Sequence, residues 1–513
     1  MSSFRKLLVG AAAAGAFFGM SQAGAADMSQ TLIVGHSSLP AGLGNPFLDT
    51  SHSGGFVFRT AYNLYTTSDK NGPIPEMLVS WKVNEADKTK WTFKLREGVK
   101  FHNGNDFTSE DVAQIINWLV SKDGLAKAAS ITRNTRNVAG ARVIDDHTVE
   151  ISTKKPDPLL PSTLGVIKVL DWQHLQDVTF EGLGKDPNGT GPYKTVSWTN
   201  DGVVVEKNPA GWQIGKMDRI EFRFLPELPA RVQAFESNQI DLAFQLVADN
   251  KDKINAANGK LQVNPGTATS ILHFFSNREG VPVADRRVRQ ALNYGVDMEA
   301  FIDVIMQGTT KPTGQPGTPS INGYFDDIKP YPYDPDKARQ LLAEAGYGNG
   351  LEIIGESVTA QGDWKDIVQF VGDELKKIGV TFTVRAITLP DLIARVRDTS
   401  KFGDATVFSF NYGSEPTMDI MRSINGLHSC KSFMKWTCFP ELQDTIDAAN
   451  SEFDPVKRRA LLKKIAQTYH DEAASLFLFD SVDLDAVKSY VKDYKPVNRL
   501  INWSDVRLEG KSG

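Results

Sequence analysis

The chain's potential for chemistry lies in a few residue sets. Eight histidines (His36, His52, His102, His147, His174, His273, His428 and His470) are scattered, none in H-x-H or H-E-x-x-H spacing. The sequence therefore signals no zinc site. Its two cysteines, Cys430 and Cys438, have seven residues between them. In an oxidising compartment they read as one disulfide closing a short loop, since a redox pair would more typically be C-x-x-C and a metal site needs further ligands. Gly189-Thr190-Gly191-Pro192-Tyr193 lacks the Lys-Ser/Thr of a phosphate-binding loop and reads as a tight turn between sheet segments. Gly42-Leu43-Gly44 lacks the third glycine of a dinucleotide fingerprint, and no G-x-S-x-G elbow is present. Carboxylates are plentiful but unpaired by spacing. The pattern points away from catalysis.

The elements that must position any site are clearer. Trp91, Phe93 and Leu95 alternate with Thr92 and Lys94, the period of a half-buried strand. Gly98 and Asn103-Gly104 signal turns, and Thr108 precedes Asp111 by three residues, a capping box with Asp in place of Glu. Val112, Ile115, Ile116 and Leu119 then form a helical stripe. Strands are expected at Thr31–Val34, Thr148–Ser152, Val203–Val205, Ile220–Phe224 and Asp241–Phe244, with a short helix over Pro229–Gln239. From about residue 265 to 479 the pattern becomes long helices joined by strands. Asp285, Asp334 and Asp454 fall at N-cap positions, the last two followed by Pro335 and Pro455 at N1. Lys376–Val384 and Ala405–Phe410 read as an αβ passage, and Leu476–Phe479 as a final strand.

At 513 residues the chain exceeds a single core. With 41% hydrophobic and 23% charged residues its composition is that of an ordinary globular protein, and a net charge of −5 argues against a nucleic-acid partner. Arg5-Lys6, the apolar run Leu7–Met20 and Ala23-Gly24-Ala25 read as a signal peptide over residues 1–26. It contains no cysteine for lipid attachment, which favours a periplasmic protein.

Several segments carry a resemblance. Pro75–Trp81, Trp91–Val112, Gly189–Tyr193, Val288–Tyr294 followed by Asp297, Tyr333–Ala338 and Leu341–Gly346 occur in one order. Together they resemble the family 5 extracellular solute-binding proteins (peptide, opine and nickel type) of ABC importers. That resemblance implies an α/β, two-lobed periplasmic binding protein fold with an inserted subdomain and a two-crossover hinge. Lobe I would comprise residues 27–62, 190–268 and 480–513, with the subdomain at 63–189 and lobe II at 269–479. It implies crossovers near 265–272 and 478–482. Similar proteins also carry a disulfide with a tryptophan beside one cysteine, as Trp436 is here.

The resemblance also locates candidate ligand contacts. Peptide-binding relatives place an Asp, partner of the peptide ammonium, three residues before an acid-Pro pair. Here that pair is Glu415-Pro416 and the position holds Tyr412. The Arg that grips a dipeptide carboxylate in relatives is replaced near Lys365 and Asp366, beside Trp364. An ordinary dipeptide with both termini charged is therefore not the expected ligand. Ligand contacts are expected instead from Tyr412, Asn411, Phe410, Trp364 and Glu415, and from the loops carrying His36, Ser38 and His52. Aromatic faces and polar groups of this kind suit a modified peptide, an opine or a sugar. No catalytic residue, metal or cofactor is expected. The expected partners are the small solute and an inner-membrane ABC permease, with the protein a monomer. The alternatives are an ordinary oligopeptide carrier with a relocated ammonium anchor, a metal-chelate carrier, a secreted hydrolase, and a periplasmic chaperone or sensor partner.

Overall fold

The computed structural model describes residues 28–359, 364–432, 434 and 436–511, so the expected signal peptide lies outside the described residues. The first strand, β1 (Thr31–His36), is buried along its length. Helix α1 (His52–Ala61) follows, opened by Ser51, whose Oγ accepts from the Gly54 N–H. Next comes a four-stranded antiparallel sheet in the order β2-β3-β5-β4, made of β2 (Leu78–Val83), β3 (Lys90–Leu95), β4 (Val138–Asp145) and β5 (Thr148–Thr153). Helix α2 (Ser109–Val120) covers it, burying Val112, Ile115, Ile116 and Leu119 against Phe93, Val149 and Ile151. Its capping box forms as the spacing predicts: the Thr108 N–H donates to Asp111 Oδ2 at 2.9 Å.

The chain then returns through β6 (Tyr193–Trp198), β7 (Gly202–Lys207), β8 (Arg219–Phe224), α3 (Leu228–Glu236) and β9 (Leu242–Ala243). A long strand, β10 (Gly259–Phe274), leads to the second half. There α4 (Arg286–Tyr294), α5 (Pro335–Glu344), β11 (Leu351–Ser357), α6 (Trp364–Lys377), β12 (Val380–Ala386), β13 (Val407–Gly413) and α7 (Pro455–Asp471) follow in turn. A second long strand, β14 (Ser475–Lys488), carries the chain back. Asp285, Asp334 and Asp454 cap α4, α5 and α7 through their carboxylates, Asp454 accepting from Val456 and Lys457. Among the described residues no helix is long and apolar enough to cross a membrane.

One ten-stranded sheet, in the order β12-β11-β13-β10-β14-β9-β1-β8-β7-β6, runs through both halves. The lobes nevertheless keep separate cores. Leu32, Val34, Val203, Val205, Ile220 and Trp503 pack in the first, and Val288, Leu292, Phe301, Val371 and Leu375 in the second. Among the described residues β10 and β14 are the strands that span both. They pair antiparallel from Gly259 opposite Lys488 to His273 opposite Ser475, with register shifts between Pro265 and Thr269 and between Ser270 and Ile271. Such irregularities break the ladder locally, so bending is least opposed there. At Gly266 a Cβ would lie 2.4 Å from the Ser481 carbonyl oxygen, an approach that only glycine allows. Below the irregularity Asp485 of β14 is wholly buried. It accepts from Asn264 Nδ2 of β10 at 2.7 Å, from the Tyr494 hydroxyl at 2.7 Å and from the Gln245 N–H at 3.3 Å.

The Gly189–Tyr193 segment differs from the turn its composition predicts. Gly191 N–H donates to the Ala61 carbonyl at 2.9 Å, and the Gly189 carbonyl accepts from His102 N–H at 2.8 Å. A Cβ on Gly191 would lie 2.4 Å from the Thr60 carbonyl oxygen. Its glycines permit close approach to the end of α1, a tertiary demand that turn chemistry does not report.

Candidate functional site

The two lobes meet. Phe453 of the second half lies 5.9 Å from Trp91 of the four-stranded subdomain, with the Lys88 ammonium 5.3 Å from its ring. Leu159 packs against the cluster that holds Ile424, Leu462 and Tyr469, and Gln307 Nε2 donates to Asp249 Oδ1 at 2.8 Å. Half of the expected ligand residues, Phe410, Asn411, Tyr412 and Glu415, fall at the end of β13 or just after it.

Their placements differ. Tyr412 is fully buried, and its hydroxyl lies 3.0 Å from Ser475 Oγ. Burial alone drives that hydroxyl's pKa far up, so it stays a neutral phenol. It therefore backs the site from within the core. Phe410 is half-buried, 5.8 Å from Trp436 and 6.0 Å from His273. The Asn411 Oδ1 atom is buried with no hydrogen-bond partner among the described residues, an acceptor whose desolvation costs about 1–3 kcal/mol until a donor arrives. Glu415 accepts from Thr267 Oγ1 of β10, which ties the loop after β13 to the crossover strand. Trp364 opens α6 and packs on the core formed by Val371 and Leu375, not in the group around Tyr412.

On the first lobe His36 is buried at the end of β1, its Nδ1 accepting from the Ser38 N–H at 3.1 Å and its ring edge-on to Phe244 at 5.2 Å. Ser38 is exposed, and Leu39 lines a surface hollow of about 300 Å³ with Thr199, Asn200 and Phe224. His52 is the first residue of α1, and its side chain lies outside the described residues.

The structure adds residues that sequence patterns missed. His273 sits in an aromatic cage, 5.0 Å from Phe408, 5.2 Å from Tyr412 and 4.8 Å from Trp436. His428 Nε2 lies 3.1 Å from His273 Nδ1, so one ring donates to the other. Burial pulls His428 down to about 3 and His273 well below its ordinary value, His273 further opposed by its neighbour. Both are neutral at physiological pH. Residues 155 apart along the chain carry no spacing signal for such a pair. The Cys430–Cys438 disulfide, with Cα atoms 5.1 Å apart, closes the loop that sets Trp436 edge-on to Phe408 at 4.3 Å. Among the described residues no group of three or more His, Cys, Asp or Glu side chains could hold a metal ion.

Comparison with other proteins fits this geometry. Residues 72–433 match the profile of bacterial extracellular solute-binding proteins, family 5 middle region. Heme-binding protein A of Haemophilus influenzae is 30% identical over 304 residues, 54% of each chain. Glutathione-binding protein GsiB of Salmonella typhimurium is 28% identical over 347 residues, 66% of each. The matched stretch thus spans about half of the first relative and just under two thirds of the second. The fold of the periplasmic binding protein DppA of Helicobacter pylori, solved with the peptide STSA, superposes with a TM-score of 0.75 at 21% identity. That superposition covers 93% of this chain and 98% of the other.

Proposed function

Because this chain belongs to the family 5 bacterial extracellular solute-binding proteins, we propose that it captures a small organic solute between its lobes and presents it to an ABC permease. The observation that carries this reading is the pair β10 and β14, the strands spanning two separately packed lobes that touch across their boundary. A solute that contacts both lobes favours the closed arrangement and so shifts the population toward it. We assign the periplasm as its location and a monomer as its working form. We propose lobe I at residues 27–62, 190–268 and 480–513, lobe II at 269–479 and a subdomain at 63–189. No covalent step is required.

For the ligand we propose a modified peptide, an opine or an oligosaccharide-like solute. Phe410, Asn411, Glu415, Trp364, Ser38 and His52 are proposed to line the cleft, and Tyr412 and His36 to shape it. The unmet acceptor of Asn411 supports a ligand that brings a hydrogen-bond donor. GsiB is named for glutathione, a modified peptide, which is in keeping with this class.

The test is a thermal-shift panel on refolded, ligand-free mature protein with free and N-acetylated peptides, opines and oligosaccharides. A solute at 100 times its Kd adds about 2.7 kcal/mol. Stabilisation by one class, with the compound recovered unchanged, supports solute capture. A panel in which free dipeptides alone stabilise would instead establish an ordinary peptide carrier with a relocated anchor, and turnover of a bound compound would establish a hydrolase.

A further inference from the structure

Phe453 belongs to lobe II by sequence but packs against the core of the subdomain, the cluster built on Trp91, Phe93 and Ile151. Its ring lies 5.9 Å from that of Trp91, itself only 7% exposed, and 5.3 Å from the Lys88 ammonium. The link that carries Phe453, between the helix Gln443–Ala449 and α7, is fixed on both sides of it. Ser451 Oγ donates to the Asp447 carbonyl at 3.1 Å, Glu452 accepts from the Asp454 N–H at 2.8 Å, and Asp454 caps α7. Lys88 is held in a similar way, in the turn between β2 and β3. There it pairs with Glu85, and Asn84 Oδ1 accepts from the Asp87 N–H at 3.1 Å. The exchange is reciprocal. Leu159 of the subdomain packs against the lobe II cluster of Ile424, Leu462 and Tyr469. Its own turn is set by Asp157, which accepts from the Leu159 N–H at 2.9 Å and from Asn137 Nδ2 at 3.1 Å.

Each side thus places one apolar side chain on the other's core, from a turn that local hydrogen bonds already order. Parting the two would return Trp91, Phe453 and Leu159 to water, while closing them immobilises little that is not already fixed. None of these three residues is among those expected to touch the solute, so their attraction does not depend on what is bound. Resting on the solute-capture reading, we infer that Phe453 and Leu159 form an interlobe latch that sets how much of the solute-free protein is closed. A solute then meets a state that is already populated. The strength of the latch scales the affinity for every solute by one factor, and the cleft residues alone discriminate among solutes.

The experiment measures the closed fraction directly, in mature protein without solute. The two native cysteines are joined to each other, so Glu110→Cys on α2 and Lys464→Cys on α7, both exposed, supply the reactive thiols for a nitroxide pair. Pulsed dipolar spectroscopy then gives the distribution of distances between subdomain and lobe II. A major short distance is expected with Phe453 in place. Phe453→Ala should transfer population to longer distances, the closed-to-open ratio falling about 5–70-fold, the range that one ring pair and one cation–ring contact supply. Leu159→Ala should act in the same direction by roughly 3–10-fold, as suits a half-buried leucine, and it decides the matter should Phe453→Ala fail to fold. Phe453→Trp, which keeps an aromatic ring on the link, should retain the short distance. A distribution unchanged in both alanine variants would overturn the latch, since subdomain and lobe II would then move as one body. A lowered urea midpoint with unchanged distances would make Phe453 merely structural and overturn it equally. Because no solute enters the measurement, either failure leaves solute capture to be judged by the thermal-shift panel.

Discussion

Asp485 gives the sharpest test of how the crossover strands are held. Burial pushes its carboxyl up to about 7 from 3.8, while the donors from Tyr494, Gln245 and Asn264 pull the other way. A carboxyl whose pKa is raised on folding stabilises the fold fully below its unfolded value, and that stability is lost as pH rises through the folded value. With values of 3.8 and about 7, Asp485 alone lowers the unfolding free energy by roughly 2–3 kcal/mol between pH 5 and pH 8. Asp485→Asn removes this contribution. At pH 5 the protonated acid and the amide are alike in shape, and the Tyr494 hydroxyl can turn from donor to acceptor, so the variant should lie close to the wild type. Asp480 is also raised to about 7 by burial, but it titrates in both proteins and cancels in the comparison. The assay is urea unfolding of ligand-free protein at pH 5 and pH 8, wild type against variant. The expected outcome is a pH-dependent loss smaller by roughly 2–3 kcal/mol in the variant. Equal losses would refute the reasoning, showing that the three donors keep Asp485 ionised throughout.

Other perturbations follow from the same geometry. Cys430→Ser with Cys438→Ser opens a loop of sequence separation 8 and should cost about 2.5 kcal/mol by the chain-entropy relation, read from the urea midpoint under non-reducing conditions. Arg458→Met strands the carboxylate of Asp419, whose side chain is 1% exposed, and should cost about 3–5 kcal/mol, with part of the loss recovered on adding Asp419→Asn. Gly191→Ala drives a methyl into the Thr60 and Ala61 backbone and should destabilise by about 2–3 kcal/mol in thermal unfolding, whereas Gly98→Ala, with nothing within 4 Å, meets only its φ of +70°.

Local chemistry was the legible part of this sequence. The Thr108–Asp111 box and the caps at Asp285, Asp334 and Asp454 depend on residues two or three apart, and they form as spacing predicts. The 3.6-residue stripe of α2 was equally plain, because one buried face suffices to write it. The glycines of Gly189–Tyr193 were visible as glycines, but their reason lies in the end of α1, about 130 residues earlier in the chain. Tyr412 shows the limit within a strand: alternation tells that its side chain points opposite to that of Asn411, but not which of the two faces the core.

The route of the first lobe's sheet has a consequence for synthesis. Its opening strand β1 pairs with β8 and β9, and β9 pairs with β14. Trp503 Nε1 donates to the Phe56 carbonyl, and Lys511 reaches the Thr31 carbonyl at 2.7 Å. A ribosome therefore delivers the first strand long before its last partners exist. The four-stranded subdomain, whose strands all lie within residues 78–153, can assemble early, whereas the sheet that frames it must wait for almost the whole polypeptide. Until β8 and β9 have been made, the leading strand has no native neighbour in the sheet, which leaves it free for whatever machinery threads or shields a nascent chain.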